Sequence, residues 1–139
     1  MKKTLFTFLL MAAMLFGVTS SAQAQTYYYI TTSFAYKFMG NDGLWSNWSS
    51  WEHSNIKMKI DFDDDLIIIY SQNLQVYQVT EYLGAYTDES GGEQTKFRVI
   101  DQDNDVGTIR LRIETNGNSQ LYVDFADVMW VYNVRRIKQ

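Results

Sequence analysis

Residues 43–54, "GLWSNWSSWEHS", hold three of the chain's four tryptophans, Trp45, Trp48 and Trp51, at intervals of three, followed by its one histidine, His53. Indoles offer flat, rigid faces that stack on sugar rings or anchor a partner at small conformational cost. His53 could serve a Ser–His–Asp set. Its neighbours Glu52 and Ser54, however, point to the other side of an extended chain, and no GxSxG or HExxH motif is present. A single histidine cannot build a histidine-rich metal site. A glycan-active enzyme needs only two carboxylates, but the acids here cluster at 63–65, 88–89 and 101–105, in turn-like sequence. Turn acids stay solvated, whereas a catalytic acid needs a cleft that raises its pKa. The expectation is binding chemistry, with no catalytic residue and no cofactor.

Two further clusters bear on binding. Asp101, Asp103 and Asp105 resemble the opening of a calcium loop, but its glycine falls at the seventh place, Gly107, and Arg112 stands at the twelfth. An EF-hand needs glycine sixth and glutamate twelfth, so an Asp-rich hairpin turn is the expected reading and calcium the alternative. If that turn closes symmetrically, Arg98 falls opposite Arg110 and Lys96 opposite Arg112, four cations on one face. Counter-charges such as Glu81 or Glu114 would relieve them, or aromatic rings stacked on the guanidinium groups.

Alternation of period two runs through the sequence and no helical period of useful length is visible. Tyr28, Ile30, Thr32, Phe34, Tyr36 and Phe38 fall on one side of a first strand; Ile56, Met58, Ile60 and Phe62 form the clearest half-buried one. Further strands are expected at about 66–71, 74–82, 95–100 and 107–115. Residues 120–137 read as two short strands or one bent strand around Asp127. Asn116-Gly117 is a hairpin signal. The expected fold is all-β, a single antiparallel meander of seven or eight strands. An up-and-down barrel of the lipocalin or avidin kind is favoured, because closure removes exposed edges, and a small β-sandwich is the alternative. Residues 66–70 and 128–134 are apolar on both faces, so Ile67, Ile69, Met129 and Val131 are expected on an outer face that needs cover. The tryptophan segment could supply it, or a homodimer or other protein partner.

The ends and the charge narrow the setting. Lys2 and Lys3, the apolar residues 5–18 and Ala22-Gln23-Ala24 fit a cleaved export signal over 1–24. A single domain over 25–139 and a periplasmic or extracellular location are therefore expected, with no membrane span. Cysteine is absent, which excludes disulfides and thiolate metal sites. The chain carries 12 basic and 16 acidic side chains. Loss of Lys2 and Lys3 would leave it near −6, and nucleic acid is not an expected partner of such a surface.

"WSNWSSW" resembles the WxxWxxW signature of thrombospondin type 1 repeats, in which tryptophans on an extended strand interleave with arginines from a neighbouring one. The cysteine framework of that family is wholly missing, and membership is rejected. The resemblance still implies that a ladder forms if arginines such as Arg98, Arg110 and Arg112 lie beside Trp45, Trp48 and Trp51. The chain as a whole is also similar to small exported β-proteins of Gram-negative bacteria. The shared features are the Trp45-to-Trp51 entry, Ile60-Asp61, residues 67–71 and the aromatic last strand at 130–134. That resemblance implies a fold and a location, and no activity. The expected function is a non-enzymatic exported barrel binding a small molecule or glycan at a barrel mouth or on the tryptophan segment. A protein-interaction or structural subunit of the cell envelope is the alternative, and a glycan-active enzyme the third reading.

Overall fold

In "KMKID" (residues 57–61), polar and apolar side chains alternate. In the computed structural model, which describes residues 25–138, Met58 and Ile60 are buried while Lys57 faces solvent. The described residues form nine strands: β1 (Thr26–Phe38), β2 (Glu52–His53), β3 (Lys57–Asp61), β4 (Leu66–Ile69), β5 (Gln75–Thr87), β6 (Glu93–Ile100), β7 (Val106–Ile113), β8 (Ser119–Asp124) and β9 (Val128–Ile137). The expected signal segment lies outside the described residues.

Each strand pairs antiparallel with the next around the sheet, and β1 closes the circle onto β9 from Tyr28 to Phe38. The result is a closed eight-strand up-and-down barrel, with β2 as an extra short strand beside β1. Closure rules out the sandwich. It also leaves no long edge open, which a chain without proline has few other means to blunt. Residues 120–137 form two strands, separated at Phe125, where the backbone N–H donates to the Val128 carbonyl.

Side chains fill the interior. Ile67, Ile69, Val99, Ile109 and Val123 have no solvent-accessible surface, so no water-sized space touches them. Aromatic clusters close both ends. Tyr27 packs on Phe62, which with Tyr82 packs on Phe97; at the opposite end Phe125 stacks on Trp130, with ring centres 6.0 Å apart, and touches Tyr77. Gly107 makes room for that second plug, because a Cβ there would lie 2.8 Å from the Phe125 ring.

Three expectations need correction. Ile67 and Ile69 line the interior, not an outer or dimer-forming surface. Cross-strand partners share a face, and the hairpin registers Ile67 with Ile60 and Ile69 with Met58, both inward. The first strand does not keep one face. A bulge at Thr32 inserts an extra residue between the Thr31–Val134 and Ser33–Asn133 pairs, so Tyr27, Tyr29 and Thr31 point inward before it and Phe34 after it. Tyr28 and Ile30 therefore face out. Finally, the 101–105 turn registers Lys96 with Arg110, Arg98 with Thr108 and Gln94 with Arg112, two residues from the symmetric expectation. The cause is the Asp101 side chain. Its Oδ1 accepts the backbone N–H of Asp103 and of Asp105, each at 2.9 Å, and the Asp101 N–H donates to the Asp105 carbonyl. The loop thus closes at residue 105, and Gly107 belongs to the strand.

Candidate functional site

Beyond Phe38 the chain turns back at residues 40–44 and runs antiparallel along the free side of β1. Ser46 and Ser49 fasten it. The Ser46 N–H donates to the Phe38 carbonyl at 2.8 Å, while the Phe38 N–H donates to Ser46 Oγ at 2.9 Å. The Ser49 N–H donates to the Tyr36 carbonyl at 2.7 Å, and the Tyr36 N–H to Ser49 Oγ at 2.9 Å. Glu52 then registers with Phe34. The strap thus advances three residues for every two of β1, one extra residue per step, as in a repeated bulge.

That arithmetic explains the tryptophan spacing. In a regular strand, residues three apart face opposite ways. With one extra residue per step, Trp45, Trp48 and Trp51 recur at equivalent positions along β1. Serine suits the following position because its hydroxyl replaces the carbonyl that the irregular backbone turns away.

The indoles then meet a cation. Lys37, outward on β1, places Nζ 4.7 Å from the centre of the Trp48 ring and 5.4 Å from that of Trp45. Trp48 meets Tyr122 of β8 edge-on, with ring centres 6.4 Å apart, and the Arg110 guanidinium stacks on Tyr122 at 4.1 Å. Asp124 Oδ2 accepts from Arg110 Nε at 2.7 Å. Tyr122, Val131 and Ala35 are successive partners across β8, β9 and β1, so an indole that reaches Tyr122 from the strap must cross the other two. Val131 and Ala35 face outward yet are only 3% and 2% exposed. The expected cover exists, over Val131 and Ala35.

The ladder's first cation is Lys37, not an arginine. Arg110 joins it through Tyr122. Arg98 is held by Glu81, and Arg112 by Asp88 at 2.7 Å and Glu114 at 2.9 Å. The Arg112 guanidinium, with Gln94, holds the Asp88 carboxyl well below the usual carboxylate range. These side chains make a braced outer wall on β5, β6 and β7.

Trp48 and Trp51 keep 40% and 50% of their surface exposed. Phe38, against Tyr36 at the barrel mouth, and Leu44, at the start of the strap, are also exposed, while Trp130 belongs to the end plug. His53 sits on β2, exposed, in register with Ser33. At the plugged mouth, a recess of about 320 Å³ is bordered by Leu74, Tyr77, Asp101 and Trp130. The carboxylates of Asp101, Asp103 and Asp105 lie within 4.8 Å of one another, and the Asp101 side chain is already engaged by two backbone N–H groups.

Sequence reasoning missed Lys37, Tyr122 and the two serines. The signal for the serines was present in the Trp-Ser pairs at 45–46 and 48–49, and Lys37 is the one cation of β1. Tyr122 carried no signal, because only closure of the barrel brings β8 within reach of the strap. No protein-family model, curated protein or solved structure matches this chain.

Proposed function

We propose that the protein acts by binding and not by catalysis, and that its ligand is a glycan held on the exposed faces of Trp48 and Trp51. The observation that carries this reading is the pairing of exposure with rigidity. Two half-exposed indoles stand on a strap fastened to β1 by backbone and serine hydrogen bonds, and Trp48 is also held by Lys37 and Tyr122. A fastened strap, with the Trp48 ring held as well, loses little entropy when a sugar ring stacks on its indoles. The packed interior directs a ligand to the surface. The amino-terminal sequence supports an exported protein that would meet glycans outside the cytoplasm.

A glycan-array screen read by tryptophan fluorescence tests the reading. Binding should shift the emission and should be lost in Trp51→Ala, whose indole makes no ring or cation contact with another described residue. Absence of any glycan that distinguishes the parent from Trp51→Ala would defeat it.

The exposed Phe38 and Leu44 favour a second reading, a protein-partner surface. In that case Leu44→Ser would abolish association while glycan binding stayed absent.

A further inference from the structure

We infer that the glycan held by the strap is acidic, an oligouronate or similar polyanion whose carboxylates are received by Lys57 and Arg135. This inference rests on the glycan reading above. Below the strap, the outer surface of β1 continues through Ser33, Ile30 and Tyr28, with β3 on one side and β9 on the other. Ile30 registers with Lys57 on β3 and with Arg135 on β9. Cross-strand partners share a face, so the two cations stand on either side of an aliphatic floor, with Cα atoms roughly 10 Å apart. Lys59 follows beside Tyr28, and Tyr70 lies next to Lys57, where its N–H donates to the Lys57 carbonyl.

Carboxylate and ring contacts together distinguish Lys57 and Arg135 from the cations of the other walls. Among the described residues, Arg98, Arg110 and Arg112 each have a carboxylate partner, and Lys59 has Asp61 at 3.5 Å. Lys37, Lys57, Lys96, Arg135, Arg136 and Lys138 have none; of these, Lys37 lies over Trp45 and Trp48, Lys96 over Tyr86 and Arg136 over Tyr27, which leaves Lys57, Arg135 and Lys138 with neither a carboxylate nor a ring. In a chain with 16 acids against 12 bases, two exposed cations with no local counter-charge on either side of one aliphatic strip are open to an anion from outside. Glu52 is the one acid between Trp45 and Ile60, and it registers with the inward-facing Phe34, on the face opposite to Lys57. This face leads directly from the strap, because one continuous segment follows β1 from Trp45 to Asp61. A chain of sugars with one ring on the indoles would extend between Lys57 and Arg135. Lys37 is already occupied by its two indoles and stands at the other end.

The test is calorimetric titration of the full mature chain with an oligomannuronate and with a neutral mannan oligomer of equal length. The parent should prefer the oligouronate by about tenfold at low salt, the size expected of two exposed charge contacts, and should lose the preference at high salt. Lys57→Gln with Arg135→Gln should bring the oligouronate down to the neutral oligomer's affinity without changing the latter. Both side chains are exposed, so the double variant should fold as the parent does. Trp51→Ala should weaken both oligomers. Equal affinity of the parent for the two oligomers would overturn the inference while leaving the glycan reading intact, as would an oligouronate affinity unaffected by the double variant. If neither oligomer binds, both fall. Binding to vesicles of anionic phospholipid that the double variant abolishes, without oligouronate binding, would reassign this face to lipid headgroups and overturn the inference.

Discussion

Lys37 of β1 meets Trp48 of the strap that runs along the free side of that strand, and the lysine ammonium lies 4.7 Å from the centre of the indole. This contact joins the strap to the barrel wall. On one side of the lysine is Trp45; beyond Trp48 come Tyr122 and Arg110. A cation–π contact at a partly exposed site is worth about 0.5–1 kcal/mol. Lys37→Gln should therefore lower stability by about that amount per indole engaged. Acrylamide quenching of tryptophan emission should rise, because Trp48 loses a neighbour that fixes its ring. Unchanged quenching would show that the strap alone orients the indole.

The cover over Val131 and Ala35 can be removed from either side. Trp48→Ala should cost about 1.5–2.5 kcal/mol, roughly half of what truncating a fully buried tryptophan costs, since Trp48 keeps 40% of its surface exposed. Tyr122→Ala opens the same site from β8. Because the two rings touch, the double variant should cost less than the sum of the singles by at least about 0.5 kcal/mol. Urea unfolding of the four proteins checks this, and strict additivity would mean that the rings do not share the cover.

The serines of the strap are expected to act as backbone substitutes. Ser46→Ala and Ser49→Ala leave the Phe38 and Tyr36 amides without the acceptors they use at 2.9 Å. Each should cost about 0.5–1.5 kcal/mol. Hydrogen exchange at Tyr36 and Phe38 should quicken, with exchange in β6 and β7 unaltered. Equal exchange at those two amides in variant and parent would remove the serines from this role.

The Asp88–Arg112 contact makes stability depend on acid. In the fold the Asp88 carboxyl titrates well below its ordinary value, through Arg112 first and then Gln94, whereas in the unfolded chain it returns to about 3.9. A depressed carboxylate contributes stability that is present above the unfolded pKa and is lost as pH falls towards the folded one. Stability should therefore decline below about pH 4, and Asp88→Asn should shed part of that decline. The gap between parent and variant, measured by thermal unfolding from pH 7 to pH 2, should be widest near neutrality. A gap that stays constant across the range would break the assignment.

Much of this architecture was legible in the residues. The alternation of Lys57, Met58, Lys59 and Ile60, the Asn116-Gly117 hairpin and the lack of any helical period determine an all-β meander, because strand side chains repeat every two residues whatever surrounds them. The same local rule failed wherever one residue was added. The bulge at Thr32 reversed the faces of β1, and the Asp101 side chain moved the β6–β7 register by two. Neither event changes the composition that a periodicity reads.

The tryptophan spacing shows the division most clearly. Three indoles at intervals of three are written in the sequence, but their meaning depends on how many residues of β1 each interval spans, and only the hydrogen bonds from Ser46 and Ser49 show that it is two. Which cations meet the indoles depended on closure. Arg98 and Arg112 looked as available as Arg110, yet joining β9 to β1 carried Tyr122 and Arg110 towards Trp48 and left Arg98 and Arg112 with their carboxylates. Local side-chain periodicity determined the strands. The positions of strands far apart in sequence, fixed by the circumference of the barrel, decided the site.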